Sequence, residues 1–255
     1  MIDATSMPQN VVVLGGSSDI AKEFIKLLSS RRLEKVLLVG RNKDKLNELG
    51  DELRALNVEP KIFIHDTRDF DSARLLSNVI LDEFTRVDLL LVATGMLGSA
   101  EIDTLGLNGV QEMIEVNFTG PAIDITSVLP ILKNQRGSRI IALSSVAAIR
   151  PRKDNYIYSA AKSGFDHFLQ GIAKELEPYG VETSIVRFGF VKTSMTTGLK
   201  PAPFTIELKD ASRLLMTVLE KRKTGIVYLP AILKFLFLIL KNLPDAIWWK
   251  ISERS

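Results

Sequence analysis

Short apolar runs rich in β-branched residues alternate with longer amphipathic stretches along this sequence of 255 residues. Seven runs have the pattern of buried strands, at 11–15, 36–39, 61–65, 89–93, 139–143, 183–187 and 226–229. The stretches between them have the pattern of helices, at 19–28, 43–56, 70–84, 109–132, 156–179 and 206–221. Repeated βα units build a parallel sheet with helices on both faces, because parallel strands need crossover connections. The sequence therefore predicts an α/β fold with a seven-stranded parallel sheet.

Length and composition favour one domain. One α/β domain accounts for the length, and no repeat, low-complexity tract or Pro/Gly-rich linker divides the chain. Hydrophobic residues make up 46% and charged residues 25%, as in ordinary globular proteins. We assign residues 1–230 to this domain and residues 231–255 to a C-terminal tail with an apolar helix.

Composition also excludes several function classes. The chain has no cysteine and two histidines, which argues against disulfides and a metal centre. A formal charge of +3 is too small to indicate nucleic-acid binding. The first ten residues lack the basic and apolar regions of a secretory signal, so we expect a cytoplasmic protein.

The first predicted strand runs into a glycine-containing turn and then a helix. The backbone amides and the positive end of such a helix can hold a pyrophosphate. Asp19 and Ala21 occupy positions where the usual dinucleotide fingerprint has glycine, and a tight strand-to-helix turn is the alternative interpretation. Asp19 is compatible with a pyrophosphate if its side chain turns away and caps the helix. The candidate cofactor contacts here are Gly15, Ser17, Ser18, Asp19 and Ile20.

Three further strand ends carry candidate cofactor contacts. Arg41 follows the second strand, where NAD-specific sites have an acidic residue, so it favours the 2′-phosphate of NADP(H). A solvated surface arginine is the alternative. Asp66 follows the third strand and can accept a hydrogen bond from the adenine amino group or cap a helix. Ala93 and Gly95 close the fourth strand, where glycine lets the backbone approach a ribose.

The candidate reaction centre combines Tyr158 and Lys162, whose spacing of four places both on one helix face. A free tyrosine has a pKa of about 10, and a nearby ammonium would lower that pKa. Ser145 ends the fifth strand, where its hydroxyl can bind a carbonyl oxygen. Asn117 lies midway along a long predicted helix, where a side-chain amide is unfavourable. Its presence there indicates a functional role, and a structural role in capping or kinking the helix is the alternative interpretation.

A glycine-containing segment, FGFVKT, follows the sixth strand. We expect its loop to lie over a nicotinamide, with Thr193 reaching the carboxamide or the pyrophosphate. Gly189, Val191 and Thr193 complete the candidate cofactor contacts.

Taken in order, the motifs GGSSDIA, HD, ATG, VNFTG, the serine at 145, YSAAK and FGFVKT resemble the short-chain dehydrogenase/reductase family over nearly the whole chain. The resemblance implies a Rossmann fold, an NAD(P)H-dependent oxidoreductase and a homo-oligomer. It also implies that Tyr158 donates a proton, Lys162 binds the nicotinamide ribose, Ser145 holds the carbonyl and Asn117 supports a proton relay. The sequence departs from the family pattern at Asp19, Ala21, Thr94 and Phe188.

Segments such as VATGMLGSAE, RIIALSSVAA, FVKTSMT and VYLPAILKFLFLILKNLP are similar to a subfamily that reduces decaprenylphosphoryl-2-keto-ribose. This similarity implies reduction of a 2-keto sugar on a polyprenyl phosphate to decaprenylphosphoryl arabinose for cell-wall arabinan, with a flavin-dependent oxidase as partner. It also implies NADH, whereas Arg41 favours NADPH, and the choice stays open. Reduction of another lipid-like ketone, such as a ketoacyl chain or a steroid, and cofactor binding without catalysis are the alternatives.

The tail is apolar over 231–241 except for Lys234 and Lys241, which share one helix face. Trp248, Trp249 and Lys250 follow. The apolar run is too short to span a bilayer, so the pattern predicts a helix that lies on a membrane surface. A helix buried in an oligomer interface or under the substrate loop is the alternative.

Overall fold

The computed structural model describes residues 7–98 and 102–252. The secretory-signal prediction rests partly on residues 1–6, which lie outside the described residues. So do the last three residues of VATGMLGSAE and of the tail.

All seven predicted strands are present, with ends that shift by one or two residues. They are β1 Asn10–Leu14, β2 Lys35–Gly40, β3 Glu59–Ile64, β4 Leu89–Val92, β5 Arg139–Ser145, β6 Glu182–Phe188 and β7 Gly225–Leu229. They form one sheet in the order β3-β2-β1-β4-β5-β6-β7, and all neighbouring strands are parallel. The order reverses between β1 and β4, which is where ligands bind in open α/β sheets.

The helices are α1 Asp19–Ser29, α2 Lys43–Ala55, α3 Ala73–Glu83, α4 Ile102–Ile114, α5 Gly120–Lys133, α6 Tyr156–Leu176, α7 Leu208–Glu220, α8 Ile232–Leu240 and α9 Asp245–Ser252. Helices α1, α2 and α7 cover one face of the sheet, and α3, α5 and α6 cover the other. Each face has its own apolar core, because the central strands carry apolar side chains on both sides. The predicted single-domain Rossmann fold is confirmed.

Most helix boundaries differ from the prediction by three residues or fewer, and two regions show why. Helix α3 begins at Ala73 rather than at Phe70, because the Asp69 carboxylate accepts a hydrogen bond from the Ser72 amide and holds the preceding residues in a turn. The predicted helix 109–132 is α4 and α5 joined by a π-helical turn, Glu115–Thr119. The spacing of apolar residues in the sequence cannot reveal that turn, since the residues of the turn suit an α-helix equally well.

The C-terminal segment forms two helices rather than one. Helix α8 coincides with the predicted apolar helix, and α9 follows after a short turn. Of the helices that the structure describes, none is both long enough and apolar enough to cross a membrane.

Candidate active site

The sheet's reversal point brings Gly15 against the end of β4. Gly15 has a φ of +82°, and a Cβ atom there would lie 2.6 Å from the Thr94 amide nitrogen. Glycine is needed at this position both for its conformation and for the close approach of the two loops. The backbone of the loop between β1 and α1 is thereby fixed at the mouth of the reversal point.

A cleft opens beside this contact. Ten of the residues predicted to bind a cofactor line it: Gly15, Ser17, Ser18, Asp19, Ile20, Arg41, Asp66, Ala93, Gly95 and Thr193. The cleft runs past the N-terminus of α1, whose free amides and helix dipole favour an anion. The geometry is thus compatible with a dinucleotide that extends from the end of β2 to the end of β4.

Charged side chains surround the end of the cleft at β2 and β3. The Arg68 guanidinium donates to both carboxylate oxygens of Asp66, at 2.7 Å to Oδ2, and also to Glu112 at 3.1 Å. This arginine lowers the pKa of Asp66. Arg41 is exposed and lies 3.5 Å from Glu112, a distance too long for a strong hydrogen bond. Its guanidinium therefore remains available to a ligand in the cleft.

Asp66 has a second contact that bears on its predicted role. Its Oδ1 accepts a hydrogen bond from the backbone amide of Arg68, two residues later. This bond closes a local turn and does not cap a helix, because the next helix begins only at Ala73. Contact with an adenine amino group stays a prediction for the remaining lone pairs of this carboxylate.

A buried histidine network at the same end was missed by sequence analysis. His65 Nε2 lies 2.8 Å from Asp124 Oδ1 and His65 Nδ1 lies 2.7 Å from the Ser72 hydroxyl, while Thr67 donates to the other Asp124 oxygen. Burial alone would lower the pKa of His65, but the hydrogen bond and charge of Asp124 raise it. The signal available in the sequence was Asp124 itself, a lone carboxylate inside the apolar helix α5.

The Asp19 side chain makes a contact that the sequence did not predict. Its carboxylate does not cap α1, but accepts a hydrogen bond of 2.7 Å from the Ser194 amide. Ser194 directly follows Thr193, which lines the cleft. The carboxylate at the family's glycine position thus ties the loop after β6 to the start of α1.

Asn117 lies in the π-helical turn and is fully buried. Its side-chain amide donates to the carbonyl oxygens of Met96 and Met113, and its Oδ1 accepts from the Met96 amide. A π-helical turn widens the helix locally and often marks a functional site. Asn117 therefore fixes the loop that follows β4, and its predicted part in a proton relay stays a prediction.

The glycine of the VNFTG motif, Gly120, is required by a close contact with the loop after β3. A Cβ atom at this first residue of α5 would lie 2.3 Å from the Thr67 carbonyl oxygen. Only glycine allows α5 to start so close to the loop after β3.

Lys162 and Asn117 both lie next to Gly95, a residue that lines the cleft. A Cβ atom on Gly95 would lie 3.0 Å from Lys162 Nζ and 3.1 Å from Asn117 Oδ1. The ammonium is buried, and burial lowers the pKa of Lys162 to about 8. Its one hydrogen bond among the described residues is a long one, 3.5 Å to the Thr94 carbonyl oxygen. A buried, weakly partnered ammonium beside a glycine is suited to donate hydrogen bonds to a ligand's hydroxyl groups.

Tyr158 lies close to both Lys162 and Ser145. Lys162 Nζ lies 6.0 Å from the centre of the Tyr158 ring, as the shared helix face predicted. Burial raises the pKa of Tyr158, and a hydrogen bond with the Ser145 side chain acts in the opposite direction. We expected Lys162 to lower this pKa, but desolvation of the phenol outweighs the other effects. The phenol is therefore held in its protonated form.

Ser145 ends β5, and its hydroxyl oxygen accepts a hydrogen bond from the Ala147 amide. This bond caps a short 3₁₀ helix, Val146–Ala148. Because the amide occupies only a lone pair of the oxygen, the hydroxyl can still donate its hydrogen, to the Tyr158 oxygen or to a ligand carbonyl.

A buried ion pair supports the reaction centre from behind. The Asp166 carboxylate accepts hydrogen bonds from the Ser144 hydroxyl and from Arg187 Nε and Nη2, the last at 2.7 Å. Arg187 also donates to the Tyr228 hydroxyl. Together these contacts join α6, which carries Tyr158 and Lys162, to three strands. Sequence analysis did not single out any residue of this group.

The loop after β6 places its three candidates differently. Thr193 lines the cleft, whereas Gly189 contacts Leu233 of α8 and the Val191 side chain is buried in the core. Contacts from the backbones of Gly189 and Val191 to a cofactor stay a prediction.

Comparison with known proteins agrees with this architecture. Residues 9–203 match the family model described as short chain dehydrogenase. The protein belongs to this family. An uncharacterized oxidoreductase of Mycobacterium tuberculosis is 30% identical over 249 residues, which cover 95% of this chain and 97% of that relative. Family membership makes the protein an oxidoreductase.

Two solved structures show the same fold. One is a 3-oxoacyl-[acyl-carrier protein] reductase from Brucella melitensis in complex with NAD, with a TM-score of 0.76 and 20% identity, covering 87% of this chain and 95% of that one. The other is a short-chain dehydrogenase from Shigella flexneri complexed with NADP, with a TM-score of 0.77 and 21% identity, covering 86% and 95%. The fold is thus compatible with either nicotinamide cofactor.

The residues present fit such a cofactor. Gly15 lets the two loops that border the cleft approach each other, Gly95 leaves room for Lys162 and Asn117 beside the cleft, and the N-terminus of α1 faces the cleft. The Lys162 ammonium is the under-partnered group that a ribose would satisfy. Arg41 and Asp66 would hold the adenosine end, Ser17, Ser18 and Ile20 the pyrophosphate, and Lys162 the nicotinamide ribose.

Proposed function

We propose that the protein reduces the 2-keto group of a polyprenylphosphoryl pentose with NAD(P)H, giving decaprenylphosphoryl arabinose for cell-wall arabinan. The observation that carries the reductase assignment is the group beside Gly95, which lines the cleft: the buried Lys162 ammonium lies next to this glycine, and the Tyr158 ring centre lies 6.0 Å from that ammonium. The sugar-lipid substrate rests on the resemblance to the keto-pentose reductase subfamily.

The chain's own residues supply the proton and orient the ketone. When bound, the dihydronicotinamide provides the two electrons and the hydrogen that reach the carbonyl carbon. The Tyr158 hydroxyl provides the proton for the carbonyl oxygen, so that an alcohol forms and a tyrosinate remains. The Lys162 ammonium stabilises that tyrosinate by its charge, and solvent returns the proton. Ser145 donates to the carbonyl oxygen and fixes its position.

The protonated phenol suits the direction of reduction. Burial raises the pKa of Tyr158, so the hydroxyl carries its proton at neutral pH. A general acid must be protonated before the reaction and must lose the proton during it. The nearby ammonium lowers the cost of that loss at the moment when negative charge develops.

The loop after Thr193 supports a substrate with a long apolar part. Met195, Leu199 and Phe204 are each 44–49% exposed, and Met195 also lines the cleft. Exposed apolar side chains in a loop that borders the cleft favour a ligand with an apolar part. This loop would suit other lipid-like ketones equally well, so a ketoacyl or steroid reductase is the second candidate.

Two partners follow from the proposed reaction. The 2-keto substrate must come from oxidation of the corresponding pentose, for which we propose the flavin-dependent oxidase that the resemblance implies. A homo-oligomer is proposed on the same basis.

The decisive assay mixes purified protein with a polyprenyl-phosphate 2-keto-ribose and either NADH or NADPH. We expect the nicotinamide absorbance to fall and a product of arabinose configuration to form. A ketoacyl thioester and a keto-steroid, tested in parallel, separate the second candidate from the first. Turnover of either one without turnover of the keto-sugar would refute the proposed substrate, and cofactor binding without any turnover would favour a non-catalytic protein.

A further inference from the structure

The C-terminal helices leave a large apolar surface uncovered. Helix α8 buries Leu233 and Phe237 against the domain, whereas its opposite side carries four apolar side chains that are 46–66% exposed. We call this side the α8 face and define it as Ile232, Phe235, Leu238 and Ile239. In α9, Ile247, Trp249 and Ile251 are 40–47% exposed. Contiguous apolar surface of this kind marks a site of interaction.

The free charges of the same segment are all positive. Lys234, Lys241 and Lys250 are exposed. Asp245 is the only acidic residue in 231–252, and its carboxylate pairs with Arg150 at 2.6 Å. On the helix surface Lys234 and Lys241 flank one edge of the α8 face, which is where long cationic side chains reach lipid headgroups from an interfacial helix.

We propose that the α8 face docks on an anionic lipid bilayer. Lysines beside a buried apolar stripe complement such a surface, since the apolar groups enter the acyl boundary while each cation faces the anionic headgroups. A second copy is a poorer occupant, because a two-fold interface brings the same patch onto itself and would place these lysines near each other in an apolar contact.

Helices α8 and α9 are bonded to a loop that joins two residues of the candidate reaction centre. The Arg150 guanidinium donates to the carbonyl oxygens of Leu240 and Leu243 at the end of α8, and the Trp248 ring packs against it at 5.0 Å. Trp248 Nε1 also donates to the Pro151 carbonyl oxygen. Arg150 and Pro151 belong to the loop between Ser145 and Tyr158, so these bonds fix the lipid-facing helices to a loop of the active site.

A second contact fixes the start of α8. Leu233 lies so close to Gly189 that a Cβ there would approach its Cδ1 to 2.6 Å. Gly189 follows β6, so α8 is anchored to two loops at the carboxyl edge of the sheet. With the α8 face on a bilayer these two loops would be held near the membrane, which, if the proposed function is right, would let a polyprenyl-linked ketone be reduced without leaving it.

The test is vesicle binding by the full-length protein. Vesicles of phosphatidylglycerol and phosphatidylcholine are compared with vesicles of phosphatidylcholine alone in a sedimentation assay. We expect wild-type protein to sediment with the anionic vesicles, and high salt to weaken that binding. Phe235→Ser/Ile239→Ser and Lys234→Glu/Lys241→Glu should each lower the vesicle partition coefficient about tenfold or more.

The matched control is Leu75→Ser/Leu81→Ser, which removes two apolar side chains of similar exposure from α3. It should bind vesicles like wild type. Circular dichroism and cofactor binding verify that all three variants fold. Absence of wild-type binding would overturn the proposal, as would equal losses in the control. If Phe235→Ser/Ile239→Ser instead converts a dimer into a monomer without any vesicle effect, the α8 face is a self-interface and the proposal is wrong.

This readout is independent of the proposed substrate. If no keto-sugar is reduced but the variants lose vesicle binding as described, docking stands and the proposed function fails. If the keto-sugar is reduced but wild-type protein does not bind anionic vesicles, the proposed function stands and docking fails. When both succeed, the α8 variants should lose turnover of a vesicle-embedded substrate and keep turnover of a short-chain analogue.

Discussion

The two ends of the cleft differ in how their charged groups are held. At the adenosine end Arg41 is exposed, with 54% of its side chain accessible, and its nearest carboxylate is 3.5 Å away. At the reaction end the Lys162 ammonium is buried and lies 6.0 Å from the centre of the Tyr158 ring on the same face of α6. Charge in water interacts weakly, whereas buried charge interacts strongly and is costly to leave unpaired. Substitutions at the reaction end should therefore have large effects on activity and stability, and substitutions at the adenosine end should have small effects on cofactor affinity.

The largest effect is expected at Tyr158. Tyr158→Phe removes the proposed acid while leaving the ring, so ketone reduction should fall about 10³-fold. Cofactor affinity, measured by fluorescence titration, should stay within about twofold of wild type, since Lys162 and the α1 end are unchanged. Tyr156→Phe is the matched control, because Tyr156 lies on the same helix and is exposed. Substantial turnover by Tyr158→Phe would refute the proton-donor role.

The next largest effect is expected at the ion pair between Arg187 and Asp166, behind the reaction centre. Arg187→Met leaves the buried Asp166 carboxylate without its counter-charge, which should cost about 3–5 kcal/mol in the free energy of unfolding. Urea denaturation measures this. Arg213→Met breaks the exposed pair with Asp210 and should cost less than about 1 kcal/mol. Similar losses in both variants would show that the Asp166 pair is not a buried support of α6.

The pH dependence should separate activity from stability. Burial lowers the pKa of Lys162 to about 8, so the ammonium that stabilises the tyrosinate is lost above that pH. We expect kcat/KM for reduction to fall as pH rises through about 8. In the window between about 8 and the ordinary value of 10.5, the unfolded chain binds a proton that the folded protein lacks, so stability should rise with pH.

Both quantities can be followed on one sample, by initial rates and by urea denaturation at each pH. The shift corresponds to about 3 kcal/mol across the window, at about 1.4 kcal/mol per pKa unit. Lys162→Met should abolish this part of the stability profile. A rate that stays constant through pH 8 would contradict the role assigned to the ammonium.

How far the sequence predicts this molecule depends on the range of the contacts. The strands were predictable, because buried parallel strands are short apolar runs whatever their neighbours. Gly15, Tyr158 and Lys162 were predictable from local spacing. The bonds from Asp19 to Ser194, from His65 to Asp124 and from Arg187 to Asp166 join distant segments, and only the folded sheet brings them together. A lone carboxylate in an apolar helix, as at Asp124, signals a partner without identifying it.

The smallest effect is expected at the adenosine end and tests its exposed character. If Arg41 binds a 2′-phosphate, Arg41→Ala should weaken NADPH about tenfold, since a hydrogen bond to a charged group contributes about 1.5 kcal/mol or more, and should change NADH affinity less than about twofold. Glu112 keeps its bond to Arg68 in the variant, so the cleft wall should persist. Arg54→Ala, on the exposed side of α2, is the control. Equal weakening of both cofactors would mean that Arg41 does not discriminate between them, and the NADH preference implied by the resemblance would then be the better account.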